Sequence, residues 1–386
     1  RVIYPDGGIR RLKYDAMVNL VKVIEPEQYD PQTDDGAGYT YRYDAANRLV
    51  EIIGPDGAVG KRYLYNLRSL VVKEISADGY LAGETDEERI GTLYAYNRAG
   101  WLLEKREPVS RAEDGTVQYR LTQYTYDTNG SRTEEKRFLS FQDAESARGS
   151  IHTLTFGYDK QNRLVRVSDG LGAVVLYEYD GLNRRTRETR LLSKDLTQRL
   201  DYRYDAAGRL VETRQSADPD GCGSHFASTR YEYDRNGNMT RILLPEGGEI
   251  LREYDAANRL TAEIHRETAS GIDNRTEFGY DAAGNLTEIT DNQGRKTRIV
   301  YDLLNREIRR TERDGGVQRT VYDRNGHVVR LIRPNEYDPE TDGGEGFQFT
   351  YDAEGRVLTV VSPEGHVLQS NTYDASGRLL QRVDGV

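Results

Sequence analysis

Apolar and polar residues follow one another in short runs along this chain, and the same pair of residues punctuates the runs from end to end. Tyr followed by Asp or Asn recurs fifteen times in repeat register, from Tyr14 to Tyr373, at spacings of 21 to 32 residues. Self-similarity of this kind is read before secondary structure, because it decides the fold. The unit is 21 residues, and the longer copies carry an insertion at one place.

Each position of the unit has a physical reading. The residue after Tyr is Asp in thirteen copies, a side chain that bonds forward to backbone N–H groups and starts a turn. Four residues after Tyr comes Gly or Asn in thirteen copies, the residues that tolerate positive φ. Val18 and Ser69 are the exceptions, and the pattern predicts that their turns differ. Two positions further an aliphatic side chain or Met appears in twelve copies, followed by Val, Ile, Leu or Thr and then usually a charge. That is strand sequence with one wet face. The signature reads as Tyr43, Asp44, Asn47 and Leu49 in one copy, Tyr204, Asp205, Gly208 and Leu210 in a second, and Tyr254, Asp255, Asn258 and Leu260 in a third.

A second turn separates this strand from the next. Pro5-Asp6-Gly7, Pro55-Asp56-Gly57, Pro219-Asp220-Gly221, Pro245-Glu246-Gly247 and Pro363-Glu364-Gly365 share one pattern, with Pro presetting φ and Gly supplying a left-handed exit. The returning strand often carries an aromatic two residues before the Tyr, as in Tyr41/Tyr43 and Tyr177/Tyr179, which places both rings on one face. Each repeat is therefore a β-hairpin. A lone hairpin is marginal in water, so the units must stack. The expected fold is all-β: about fifteen hairpins in one continuous antiparallel sheet that coils into a spiral or a hollow shell wall. Strict alternation fails at Leu49-Val50 and Leu210-Val211, where a bulge is expected. No composition shift interrupts the series, so residues 1–386 read as one repeat domain. The opening on Arg1, already in repeat sequence, is read as the mark of a piece of a longer protein.

Composition changes the picture in two respects. Charged residues make up 31% of the chain, which would suit disorder, but 28 Tyr contradict that, since disordered chains are poor in aromatics. A net charge of −10 argues against a nucleic-acid binder, which needs a cationic face. The single cysteine, Cys222, excludes an intramolecular disulfide and a Cys-rich zinc site. No apolar run approaches the length of a membrane span.

The pattern Tyr-Asp-x-x-Gly/Asn-Arg-Leu, followed by Pro-Asp-Gly, resembles the YD repeat of the RHS (rearrangement hotspot) family. That family includes bacterial polymorphic toxins, toxin-complex C subunits, wall-associated proteins and teneurins. The resemblance spans Tyr14 to Tyr373. It implies a non-enzymatic sheet that encloses and shields a C-terminal effector or toxin domain of the same parent protein until delivery, in a bacterial protein that is secreted or at the cell surface. The alternative it implies is an extracellular adhesion or carbohydrate-binding array, with a surface glycan or receptor as partner. Many members carry two Asp-Pro-x-Gly motifs about 18 residues apart that support aspartyl self-cleavage. Here Asp218-Pro219-Asp220-Gly221 stands without a second copy at that spacing.

Candidate chemistry is sparse. His152, His225, His265, His327 and His366 fall in different repeats, with no Ser, Cys or carboxylate at motif spacing. No catalytic residue and no cofactor site is expected. Asp30, Asp34, Asp338 and Asp342 offer oxygen ligands on Gly-rich loops, but without the spacing of a calcium loop, so solvated loops are the better reading. These loops belong to a duplicated insertion, Glu25–Gly36 and Arg333–Gly344, twelve repeats apart. Trp101 stands where Arg is commonest, in eight of fifteen copies, and is the candidate for an exposed contact, with a packed ring as the better reading.

Overall fold

The computed structural model describes residues 1–79, 84–112, 115–138, 151–193, 196–216, 226–267, 273–374 and 377–385. Pro219-Asp220-Gly221, Cys222 and His225 lie outside them. Among the described residues strand and turn dominate, with a single turn of 3-10 helix at Ala77–Gly79. One antiparallel sheet takes in 31 strands, each paired with its neighbours along the sequence. Tyr29–Asp30 with Asp35–Gly36, and Tyr337–Asp338 with Gly343–Gly344, form two small sheets of their own. By compactness the chain falls into two units. One comprises Arg1–Leu93, Tyr280–Ile289 and Arg295–Val386; the other comprises Tyr94–Gly279 and Thr290–Gly294. The same hairpin builds both.

Both turns of a repeat share one backbone pattern. At the Tyr-Asp turn, Asp44 N–H reaches Arg48 O at 3.0 Å while Asn47 N–H reaches Asp44 O at 3.0 Å. At the Pro-Asp-Gly turn, Gly54 N–H reaches Ala58 O at 2.8 Å and Gly57 N–H reaches Gly54 O at 3.0 Å. Each is a four-residue turn whose last residue is left-handed, the loop that joins antiparallel strands with a bulge. The expected bulge is present: Arg42 faces Glu51, but Tyr43 faces Leu49, which leaves Val50 as the extra residue. The same shift recurs beside Tyr179, Tyr204, Tyr254 and Tyr322.

The expectation that the Val18 and Ser69 turns differ is wrong. Val18 has φ 65° and Ser69 φ 59°, beside 58° at Asn47 and 62° at Asn258, and both close the same pair of hydrogen bonds. The surrounding strand pairs fix the turn, and the side chain bears the strain. For a β-branched residue that conformation is costly.

Apolar burial is thin. Ile24, Ile75 and Ile332 are the largest fully buried side chains among the described residues, and each lies under an insertion. Gly36 and Gly344 let those insertions close down, since a Cβ at either would stand 1.8 Å from Gln28 O or 2.1 Å from Glu336 O. The strand face opposite the tyrosines is wet only in part. Glu51 is 2% exposed and pairs with Arg42 at 2.7 Å and Arg62 at 3.1 Å on the flanking strands. Glu212 is buried between Arg203, Arg214 and Arg230, with Ser228 donating to it at 2.7 Å. Burial works to raise its carboxyl pKa, but Ser228 and the three guanidiniums outweigh that and bring it down to about 2.

Two consequences can be measured. Val18→Asn removes the strain at φ 65° and raises stability by about 1 kcal/mol in urea denaturation. Glu212→Gln lowers stability at neutral pH by about 2 kcal/mol, because a carboxylate with three cationic partners is lost. Its depressed pKa means that the wild-type advantage is complete above the ordinary Glu range and fades as pH falls toward about 2, so the two proteins converge in acid.

Candidate functional site

The repeated feature with the densest chemistry is the Tyr-Asp turn, and it joins one hairpin to the next. The bulge turns the backbone so that the carbonyl of the first strand residue after the turn is free. The tyrosine of the following repeat takes it: Tyr43 hydroxyl donates to Leu20 O at 3.0 Å, Tyr65 to Leu49 O at 2.6 Å, Tyr204 to Arg185 O at 2.8 Å and Tyr254 to Met239 O at 2.9 Å. Tyr126, Tyr179, Tyr233, Tyr301, Tyr322, Tyr351 and Tyr373 repeat the bond.

The aspartate organises its own turn. Asp44 accepts the N–H groups of Ala46 and Arg48 on one oxygen and Arg48 Nε, at 2.7 Å, on the other. Those bonds, the Arg48 side chain first, hold its carboxyl below the usual range. The arginine then spans to the next repeat. Arg209 bonds Asp205 at 2.7 Å and Asp234 O at 3.0 Å, and its guanidinium lies 4.9 Å from the centre of the Tyr233 ring. Arg163 and Arg184 do the same with Tyr179 and Tyr204. Tyr, Asp and Arg thus form a clasp between successive hairpins. The signature residues of all three copies named above sit in it, Asn47, Gly208 and Asn258 at the left-handed corner and Leu49, Leu210 and Leu260 opposite the tyrosine. The arginine stands in the sequence pattern five residues after the Tyr in eight copies, but nothing local to the sequence shows its place over the next ring.

Where another residue replaces this arginine, the next turn compensates. Asn19, Asn238 and Asn285 donate from Nδ2 to the corner asparagine of the following turn: Asn47, Asn258 and Asn305, at 3.2, 2.9 and 2.8 Å. Ser131 bonds Asn162 in the same manner. Bulky replacements face glycine instead. Trp101 is half-buried, its ring 5.5 Å from that of Tyr126, and a Cβ on Gly130 would stand 2.8 Å from the indole. His327 stacks on Tyr351 at 4.7 Å, holds Asp323 at 3.0 Å and abuts Gly355. Trp101 therefore fills the arginine's place over the next tyrosine.

The acidic loops fold as internal ties. Asp34 accepts from Tyr29 hydroxyl at 2.8 Å and pairs with Arg1 and Arg11; Asp342 accepts from Tyr337 at 2.7 Å and pairs with Arg309 and Arg319. Asp30 and Asp338 cap their own turns through Thr33 and Thr341. Among the described residues no three His, Cys, Asp or Glu side chains converge as metal ligands would. His265 meets Glu263 at 2.7 Å.

Within the unit that holds both chain termini, early and late repeats meet. Glu27 N–H donates to Asn325 Oδ1 at 3.1 Å and Arg324 N–H donates to Glu27 Oε1 at 2.9 Å, across 298 and 297 residues. Arg306 approaches Asp6 at 3.7 Å, and Arg378 pairs with Asp78 at 2.9 Å. In each case a Tyr-Asp turn of a late repeat rests on the return turn of the repeat twelve places earlier. The pairing of corner and clasp residues can be tested at one joint. Gly130→Asn drives a side chain into Trp101 and costs roughly 2 kcal/mol. Adding Trp101→Asn restores most of the loss, since the pair then matches Asn238 and Asn258; thermal unfolding of the three variants reads both steps.

Comparison with known proteins agrees with this geometry. The RHS Repeat family model matches residues 158–191, 233–270, 254–296, 280–317 and 351–385. The chain is 26% identical over 466 residues to the double-stranded DNA deaminase toxin A of Burkholderia cenocepacia (strain H111), covering all of this chain and 30% of that protein. It is 26% identical over 313 residues to the tRNA3(Ser)-specific nuclease WapA of Bacillus spizizenii, covering 74% and 12%, and 25% identical over 295 residues to the probable deoxyribonuclease RhsB of Dickeya dadantii (strain 3937), covering 76% and 18%. It spans less than a third of each. A solved TcdB2-TccC3-TEV structure shares the fold, with a TM-score of 0.58 at 16% identity over 97% of this chain and 20% of that one. The clasp recurs through the stretches that match the RHS Repeat model, and in those stretches the chain carries RHS repeats.

Proposed function

We propose that this chain is a structural, non-enzymatic wall segment of a bacterial RHS-type toxin, enclosing and shielding a C-terminal effector of the same parent until delivery. The observation that carries the reading is the way the sheet is tied together along its length. Strands pair side by side, clasps tie each hairpin to the next, and the Tyr-Asp turns of late repeats rest on the return turns of repeats twelve places earlier. A barrier needs such continuity, because a gap between hairpins would leave strand edges that invite pairing with other chains. The family relatives bear toxin and nuclease names while this chain spans a small part of each, which leaves the chemistry to the rest of those proteins. In the parent, the wall acts by steric exclusion. Secretion or surface display follows from the same reading, and no helix among the described residues is long and apolar enough to cross a membrane.

The adhesion alternative needs flat aromatic faces open to a sugar. The rings of Tyr65, Tyr179, Tyr204 and Tyr233 are instead covered by Arg48, Arg163, Arg184 and Arg209, and Trp101 is itself a cover. Limited proteolysis of the full-length parent discriminates. The effector segment should survive in the parent under conditions that degrade it when isolated. Equal rates of cleavage would contradict the enclosure.

A further inference from the structure

The contacts between early and late repeats are complementary at three places and not at the fourth. Arg306 meets Asp6, Arg378 meets Asp78, and Glu27 accepts a backbone N–H of the late turn. Between them, the Asp352–Arg356 turn rests on the Gly54–Ala58 turn with one carboxylate facing another. Glu354 Oε1 and Asp56 Oδ1 stand 3.2 and 2.8 Å from the position that a Cβ on Gly54 would take, so both oxygens converge on the space of one methyl group. A crevice of about 650 Å³ opens beside them, bounded also by Tyr39, Ile52, Lys61 and Tyr373, which gives water and protons access to the pair.

We propose that this contact is a proton-operated latch, shut when Glu354 carries a proton and weakened when it is ionised. Every charged neighbour bears on the argument. On its own turn, Arg356 donates to Glu354 at 2.8 Å but is shared with Asp352 at 2.5 Å, so it neutralises neither fully. From the early hairpin, Asp56 is pinned in place by accepting Ala58 N–H at 2.9 Å, and Lys61 is held by Glu74 at 2.7 Å. Tyr39 adds a phenol, and the next repeat contributes Tyr373 and the Asp374 turn. His327 abuts Gly355 from the preceding turn. Burial, with Asp56 and Asp352, raises the Glu354 carboxyl pKa against the pull of Arg356. A raised folded-state pKa means that the contact is strongest with Glu354 protonated, below the ordinary Glu range, and loses stability as pH rises through the raised value.

Hydrogen-exchange mass spectrometry of the full chain tests the latch, with rates corrected for the intrinsic pH dependence of exchange. Between about pH 4.5 and about pH 7.5 the wild type should lose protection in residues 54–58 and 352–356, while the Tyr254 hairpin, as internal reference, keeps its own. Glu354→Gln should hold the protection at both pH values. Asp56→Asn should reduce the loss while leaving Glu354 in place, which keeps the test valid if the Gln variant folds poorly. Imidazoles titrate in the same interval, so His327→Arg, which installs the commonest residue of that position, should leave the wild-type loss unchanged. Protection that is independent of pH in the wild type, or that rises with pH, overturns the proposal. So does a Glu354→Gln variant that retains the loss, or a His327→Arg variant that abolishes it.

Discussion

One hydrogen bond organises this protein: the tyrosine hydroxyl of each repeat donating to the carbonyl that the bulge of the preceding repeat sets free. A sheet with little apolar burial has few ways to fix one hairpin against the next. A buried carbonyl without a partner is expensive, so the bulge creates a need that the tyrosine meets. The requirement then spreads. The bulge needs a left-handed corner, which is why Gly or Asn recurs there and why Val18 and Ser69 are forced into the same conformation. The corner needs its N–H groups held, which the aspartate does; the arginine ties that aspartate to the next ring.

Much of this was legible in the residues. The period, the two turns, the paired rings and the doubled apolar residues at Leu49-Val50 all follow from local stereochemistry, which repeats faithfully. The roles that stayed hidden depend on neighbours in space. Arg209 reads as one more surface charge until its guanidinium is seen above Tyr233. Glu212 sits at a position that alternation marks as wet, and it is buried because Arg203 and Arg230 of the flanking strands and Arg214 of its own converge on it. Trp101 stands apart in the sequence only by being unlike its counterparts; its ring does an arginine's work. Contacts across twelve repeats, such as Glu27 with Arg324, rest on how the sheet curves within one unit, and no local pattern encodes that.

The distribution of charge follows from the same economy of apolar residues. Aspartates and arginines that look like a solvated surface are committed to turns and clasps, and glutamates under the opposite face are committed to cross-strand arginines. Ionic ties of this kind tolerate exchange of residue types if both partners change. The Asn–Asn joints and the Trp–Gly and His–Gly joints are three solutions to one contact.

The central claim is that the clasp couples neighbouring hairpins energetically, and a double-mutant cycle at one joint tests it most directly. Arg209→Ala, Tyr233→Ala and the double variant would be unfolded in urea. Residues in such contact should show a coupling energy of about 1 kcal/mol, with the double variant less destabilised than the sum of the singles. Additive losses would mean that the two side chains act independently and that the hairpins are held together by something other than the clasp.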